Sequence, residues 1–285
     1  MSEEINSVNG LVSLADKDFF RLSSFIGSHY GIKLPPAKKT LVQCRLQKRL
    51  KAYNMISFSD YIDFLFTSAG REKELSNMID EISTNKTDFF REPVHFDFLT
   101  QTGLNEYLSK FGKRRITVWS AGCSSGEEPY TIAMILKEYS KLKNNIDFTI
   151  TATDISTRVL QTGIQGIYNE NKISEFPYAL KKEYFQKGKN GFKQLVRVNP
   201  DLRKTVNFQH FNLLSPDFTL YGMFDIIFCR NVLIYFERAI QYKIISKLCN
   251  QLNPGGYLFL GHSDTTMGFT LPLKTVQPSI FKKVD

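Results

Sequence analysis

The stretch WSAGCSSGEEPY, residues 119–130, admits two incompatible chemistries. Gly122 to Gly126 spell G-x-S-x-G, the pattern of a nucleophile elbow that would set Ser124 on a strained strand-to-helix turn as an acylating serine. The same residues also read as a glycine-rich loop between a strand and a helix, where a missing Cβ lets backbone come close to a cofactor. An elbow needs an acid and then a histidine later in the chain, and Ser124, Asp225 and His262 stand in that order. Against it, Glu127 and Glu128 open the helix whose N-terminus would have to stabilise an oxyanion, and two carboxylates oppose that charge.

Outward from this loop the chain alternates. RITVWSAG reads as a strand, EEPYTIAMILKEYSKL as a helix, DFTITATDI as a strand and STRVLQTGI as a helix opened by Ser156 as its cap. VNFQHFNL, FDIIFCRNV, the helix ERAIQYKIISKLCNQL, the turn NPGG and the strand YLFLGHS continue the pattern. Such alternation predicts an α/β fold with a parallel, doubly wound, Rossmann-like sheet over residues 115–285. Between about 168 and 207 the rhythm breaks, and KKEYFQKGKNGFKQLVRV predicts a helix plus a small β-hairpin inserted in the sheet domain. Residues 1–80 predict a small all-helical domain instead, with helical spacing in DKDFFRLSSFIGSHYGI, KTLVQCRLQKRLKAY and FSDYIDFLFTS and breakers at Gly31, Pro35-Pro36 and Gly70. Residues 81–114 form the linker; alone, TNKTDFFRE reads there as a capped helix with a Phe89-Phe90 core pair.

At 285 residues and 42% hydrophobic content, the chain has apolar material for one large core or for two domains, one of them small. Its apolar runs fall far short of the roughly 18 residues a membrane span needs, and no basic secretion leader opens it, so a cytoplasmic protein is expected. Four scattered cysteines without a C-x-x-C pair suggest neither a disulfide framework nor a zinc site, and the four histidines show no ligand spacing, so no metal is expected. The net charge of +9 is uneven: from Phe19 to Ser59 there is no Asp or Glu, while eight Lys and Arg residues fall in that window. Lys38, Arg45 and Arg49 line up beside an apolar Val42, Leu46, Leu50 stripe, which is either a solvated polar face or a docking surface for an acidic partner.

The cofactor reading gathers support from the strand ends, where open α/β sheets bind ligands at the point of reversed strand order. Asp154 ends the second strand, where an acid can accept from ribose hydroxyls; Asn212-Leu213 end the third and could bracket an adenine; Arg230-Asn231 end the fourth. The pattern is not G-x-G-x-x-G, and no basic cluster sits at the loop to hold a pyrophosphate. Carboxylates there suit a cofactor with a sulfonium and an ammonium, namely S-adenosylmethionine. A nucleic-acid methyltransferase is the rival reading, but CRNVLIYF stands where amino-methylating enzymes carry a D/N-P-P-Y/F motif. A non-catalytic cofactor-binding sensor is the third.

Four segments together, TNKTDFFRE (84–92), WSAGCSSGEEPYTIA (119–133), TATDI (151–155) and FCRNVLIYF (228–236), resemble the CheR-type chemoreceptor glutamate methyltransferases of bacterial chemotaxis. The resemblance spans nearly the whole chain, since that family also joins a small helical domain to a methyltransferase domain with an inserted hairpin. It implies S-adenosylmethionine contacts at Asn85, Thr87, Arg91, Gly122, Glu128, Asp154, Asn212, Leu213, Arg230 and Asn231. It implies methyl transfer to receptor glutamates. Arg91 and Tyr235 are the candidates to orient the acceptor carboxylate, since a guanidinium can hold its second oxygen and a phenol can donate to it. The basic helix, through Lys38, Arg45, Lys48 and Arg49, is then expected to meet the acidic helical methylation region of the receptor. The hairpin is where a receptor C-terminal peptide would add as a strand, although GKNGFKQ has fewer glycines than a peptide-binding member would show. A monomer acting on membrane receptors without inserting in the membrane, and without nucleic acid, is the resulting expectation.

Overall fold

The computed structural model describes residues 7–8, 11–112, 115–143, 146–218 and 222–284. The chain divides into two compact units, residues up to 84 with 235–237, and 85–234 with 238–285. No helix of the described residues is long and apolar enough to cross a membrane.

In the first unit a short antiparallel pair, β1 (Ser7–Val8) and β2 (Leu11–Val12), precedes α1 (Asp16–Tyr30). Helix α1 stops where Gly31 takes a left-handed φ of 68°, and α2 (Lys39–Ala52) begins after the Pro35-Pro36 break. Then come α3 (Phe58–Phe66), α4 (Ser68–Lys73) and α5 (Leu75–Ile82). Ser57 caps α3 through the Asp60 N–H, and Thr67 caps α4 through the Gly70 N–H. Gly70, expected to break a helix, instead sits buried inside α4, where a Cβ would lie 2.0 Å from the Phe64 carbonyl oxygen. The Val42, Leu46, Leu50 stripe is fully buried with Phe19, Leu22 and Ile26 of α1 and with Tyr61 and Leu65 of α3.

Beside that stripe two of the predicted docking cations, Arg45 and Arg49, turn inward. Arg49 Nε and Nη2 donate to the two oxygens of Glu74 at 2.7 and 2.5 Å, and Glu74 is 0% exposed. Tyr61 Oη donates to the same carboxylate at 2.8 Å. Arg45 Nη1 donates to the carbonyls of Ile82 and Ser83 at 2.7 and 3.1 Å, satisfying orphan acceptors at the C-terminus of α5. Lys48 is more than half exposed and pairs with Glu81. The guanidiniums of Arg45 and Arg49 thus bind acceptors of their own unit.

At the start of the second unit, residues 85–93 are irregular rather than helical, correcting the reading of TNKTDFFRE, although Phe89 does join the core. Helix α6 (Val94–Phe98) passes through a π turn into α7 (Leu104–Phe111). The alternating part follows as β3 (Arg115–Ala121), α8 (Glu127–Leu142), β4 (Asp147–Asp154) and α9 (Thr157–Gln165), the last capped by Ser156 as its sequence suggested. The insertion contains β5 (Ile167–Asn169), α10 (Tyr178–Tyr184), β6 (Phe185–Lys187) and β7 (Leu195–Val198). These strands pair antiparallel in the order β5-β7-β6, one strand more than the expected hairpin. After the short α11 (Pro200–Arg203) the main sheet resumes with β8 (Val206–His210), β9 (Phe224–Cys229), α12 (Arg238–Gln251) and β10 (Leu252–Leu260).

The main sheet has seven strands in the order β11-β12-β10-β9-β3-β4-β8. Five are parallel; β11 (Leu273–Gln277) and β12 (Ile280–Lys283) form an antiparallel hairpin that joins β10, so the sheet is mixed where a parallel one was predicted. Strand order reverses at β3, which has β4 on one side and β9 on the other. Every residue of β9 is buried, as a central strand covered on both faces requires. Its one charge, Asp225, accepts from Tyr107 Oη at 2.5 Å, Thr117 N at 2.9 Å and Asn253 Nδ2 at 2.7 Å.

Candidate functional site

The loop between β3 and α8 is shaped by hydrogen bonds that a side chain at its glycines would disturb. Gly122 N and Cys123 N both donate to the Thr153 carbonyl of β4, at 2.8 and 2.9 Å. Gly126 takes φ +97°, and a Cβ there would lie 2.9 Å from Tyr168 Oη and 3.0 Å from Gly163 Cα, so only glycine fits. Ser124 adopts φ +49° without being glycine. Its N–H donates to Asp154 Oδ2 at 2.8 Å and its hydroxyl to the Asn85 carbonyl at 3.0 Å.

The serine is therefore a loop-former, and the hydrolase alternative fails on topology. Asp225 lies at the N-terminal end of β9, whereas Ser124 and His262 follow the C-terminal ends of β3 and β10. The four residues of β9 beyond Asp225 span about 13 Å at the usual rise of a strand.

The acids of the site divide. Asp154, at the end of β4, accepts from Ser124 N with one oxygen and from Ser156 N at 2.9 Å with the other. Its carboxylate is thereby fixed at the strand end, where this fold meets ribose hydroxyls. Glu128 Oε1 accepts from Ser120 Oγ at 2.7 Å and Oε2 from Arg230 Nη1 at 3.0 Å. Burial pushes the Glu128 carboxyl upward despite Arg230, so its charge is incompletely compensated. Glu127 turns elsewhere: it pairs with Lys172 Nζ at 2.7 Å and accepts from Ser125 Oγ.

Arg230 and Asn231, ending β9, are gathered by two acids that sequence reasoning missed. Glu92 Oε2 accepts from Arg230 Nη2 at 3.0 Å and Nε at 3.3 Å, and Glu92 Oε1 accepts from Asn231 Nδ2 at 3.1 Å. Burial disfavours the Glu92 charge, but Asn231 and Arg230 outweigh it and hold the carboxyl below its usual range. Asp264 Oδ2 accepts from Asn231 N and Gly261 N at 3.1 and 2.8 Å, and burial pushes Asp264 up to about 6. Asn231 is left-handed at φ +57°, and Gly261 has no room for a Cβ, which would lie 2.6 Å from Asn231 N. Glu92 adjoins the quoted motif TNKTDFFRE as its last residue, which was the available signal.

The other expected residues fall as follows. Asn85 and Thr87 present their carbonyls, to Ser124 Oγ and to Lys172 Nζ at 2.8 Å. Arg91 is exposed, with Nη1 donating to the Lys86 carbonyl at 3.2 Å. Asn212 Oδ1 accepts from Leu214 N at 2.9 Å just beyond β8, and Leu213 is buried beside it. Tyr235 packs within the helical unit: its carbonyl accepts from Lys33 N at 2.9 Å, and Lys38 Nζ lies 5.9 Å from its ring centre.

Glu92, His95 and His262 also bring ligand atoms within 4.8 Å of one another, from two chain segments far apart in sequence. Both Glu92 oxygens already serve Arg230 and Asn231, and a cation there would lie against the Arg230 guanidinium. The charge environment opposes a metal.

A family model described as the CheR methyltransferase SAM-binding domain matches residues 85–281, and one described as the CheR methyltransferase all-alpha domain matches residues 17–83. The chain belongs to the CheR methyltransferase family. The chemotaxis protein methyltransferase of Borreliella burgdorferi is 39% identical over 99% of this chain and 100% of its own length. That of Vibrio parahaemolyticus is 34% identical over 96% and 98%, and that of Escherichia coli 36% over 89% and 86%.

The strand-end residues of this CheR chain fit S-adenosylmethionine. The under-compensated Glu128 suits an ammonium, the oriented Asp154 suits a ribose, and the glycine loop admits close backbone approach. Among the described residues each Glu128 oxygen takes a single hydrogen bond, and it keeps acceptor capacity.

Proposed function

We propose that this protein transfers the methyl group of S-adenosylmethionine to side-chain carboxylates of glutamates in bacterial chemoreceptors, giving methyl esters, and that it acts in the cytoplasm. The observation that carries the reading is the carboxylate-lined strand-end site of a CheR family member, with exposed Arg91 on the segment that also supplies Asn85 and Glu92. The cofactor, when bound, supplies a methyl group on a sulfonium. Glutamate is already ionised at neutral pH, with an ordinary pKa of about 4.3, so no base is needed. The task of the protein is alignment and exclusion of water. Arg91 holds one acceptor oxygen so that the other faces the methyl. Lys38 and Lys48 steer the acidic receptor helices, while Arg45 and Arg49 support that surface from within. Strand β6 of the inserted sheet offers an edge to which a receptor peptide could add.

The experiment incubates the protein with methyl-labelled S-adenosylmethionine and chemoreceptor-containing membranes, then treats the receptor band with mild alkali. Label released as methanol supports a carboxyl methyl ester. Alkali-stable label overturns the reading, and wild-type turnover by Arg91→Ala at saturating cofactor and receptor removes Arg91 from it.

A further inference from the structure

The residues flanking Arg91 hold an unusual backbone. Phe90 has φ +53° and Glu92 φ +56°, left-handed conformations that are strained for a bulky L-residue and persist only where surrounding contacts impose them. The contacts are visible. Phe90 N donates to Thr131 Oγ1 at 3.2 Å, and its ring lies 5.1 Å from that of Phe176 and 6.2 Å from that of Phe96. On the other flank, Glu92 is gripped by Arg230 and Asn231 and receives the His262 N–H at 3.4 Å. Arg230 Nη2 also donates to the Arg91 carbonyl itself, and its guanidinium stacks 5.3 Å from the Phe96 ring centre.

Arg230 is thus the hub, 2% exposed at its side chain, with acceptors on Glu92, Glu128 and the main chain of Arg91. Without the Glu92 charge, the guanidinium keeps one carboxylate, Glu128. The turn then loses the clamp that holds Glu92 left-handed, and Arg91 can move off line.

We infer that Glu92 is a positioning residue for methyl transfer, acting by locking Arg230 against the strained 90–92 turn and so presenting the Arg91 guanidinium. This rests on the proposed role of Arg91 at the acceptor carboxylate. Its signature is that Glu92 matters only while Arg91 is present. Glu92→Gln keeps the side-chain size but removes the charge and turns one acceptor into a donor facing Arg230 or Asn231.

The test is a double-mutant cycle of Glu92→Gln and Arg91→Ala, with kcat measured on receptor membranes at saturating cofactor and the folded fraction checked by thermal melting. Glu92→Gln is expected to lower kcat about a hundredfold, the scale of an ångström-sized misplacement. Added to Arg91→Ala, it should cost less than about twofold more. Losses that multiply, or an unchanged kcat in Glu92→Gln alone, overturn the inference. If Glu92→Gln does not fold, Glu92→Asp, which keeps the charge at a shorter reach, enters the same cycle under the same criterion. Full turnover by Arg91→Ala would sink the proposed role of Arg91 first, and a normal Arg91 effect with multiplicative losses would sink this inference alone.

Discussion

Arg49→Ala separates a docking role from a folding role. The substitution removes both donors that reach Glu74 at 2.7 and 2.5 Å, and leaves a fully buried carboxylate with Tyr61 Oη and Asn77 Nδ2 as its remaining donors. Breaking a buried ion pair from one side costs about 3–5 kcal/mol. Because the Arg49 side chain is 20% exposed, water can partly replace it, and about 3 kcal/mol is expected. Hydrogen exchange of the α2, α3 and α5 amides is the suitable assay. The single tryptophan, Trp119, reports on the other unit, and its fluorescence serves as an internal control. Replacing both partners, as Arg49→Met with Glu74→Met, should recover most of the loss, since no unpaired charge remains. The pH dependence has a definite sign. Burial raises the Glu74 pKa, but the hydrogen bonds from Arg49 and Tyr61 outweigh it and the net shift is downward. The stabilisation is therefore present above the ordinary pKa of 4.5 and fades as pH falls through the lower folded value. A loss of methylation with less than about 1 kcal/mol of local destabilisation would refute the reasoning and restore Arg49 as a receptor contact.

Two further predictions concern the second unit. Asp154→Asn leaves one acceptor oxygen for two backbone N–H groups, and hydrogen bonds to a charged acceptor contribute about 1.5–3 kcal/mol. S-adenosylhomocysteine affinity by calorimetry should fall roughly 10- to 100-fold, and a change within twofold would remove Asp154 from the ribose site. His95 is fully buried, and burial, with the charge of Arg230 adding, brings it down to about 4. A base lowered in the folded state contributes stability that is complete above about 6.5 and is lost as pH falls through about 4, here amounting to about 3 kcal/mol. Denaturant midpoints at pH 7, 5.5 and 4 should therefore fall more steeply for wild type than for His95→Leu, and parallel curves would contradict the assignment.

The parts of this fold that were legible are those where local chemistry and tertiary demand agree. Glycines 122 and 126 are where the backbone needs positive φ, Ser156 is where α9 needs a cap, and FDIIFC reads as buried because it is buried on both faces. The hairpin of β11 and β12 escaped notice because LKTVQ is largely exposed and IFKK is four residues long, too short for alternation to show. TNKTDFFRE looked like a capped helix because nothing local reveals that Arg230, 138 residues away from Glu92, bends it into a turn. Arg49 read as a surface charge, solvated or docking, because its partner lies 25 residues on, behind a helix boundary. Long-range polar partners are invisible to periodicity, and in this protein they set the site.

The central position of β3 has a consequence for synthesis. Val118 pairs with Ile150 on one side, 32 residues later (150 − 118), but with Ile226 on the other, 108 residues later (226 − 118). At roughly 5–20 residues per second, the β9-facing edge of VWSA waits on the order of 5–20 s on the ribosome with its backbone groups unpaired. That edge is an apolar template for any other strand nearby, and its exposure is set by the order of strands in the gene rather than by the stability of the finished sheet. Yield in a cell is then governed by translation speed and chaperone supply through that interval, and slowing synthesis between codons 150 and 226 should lower it.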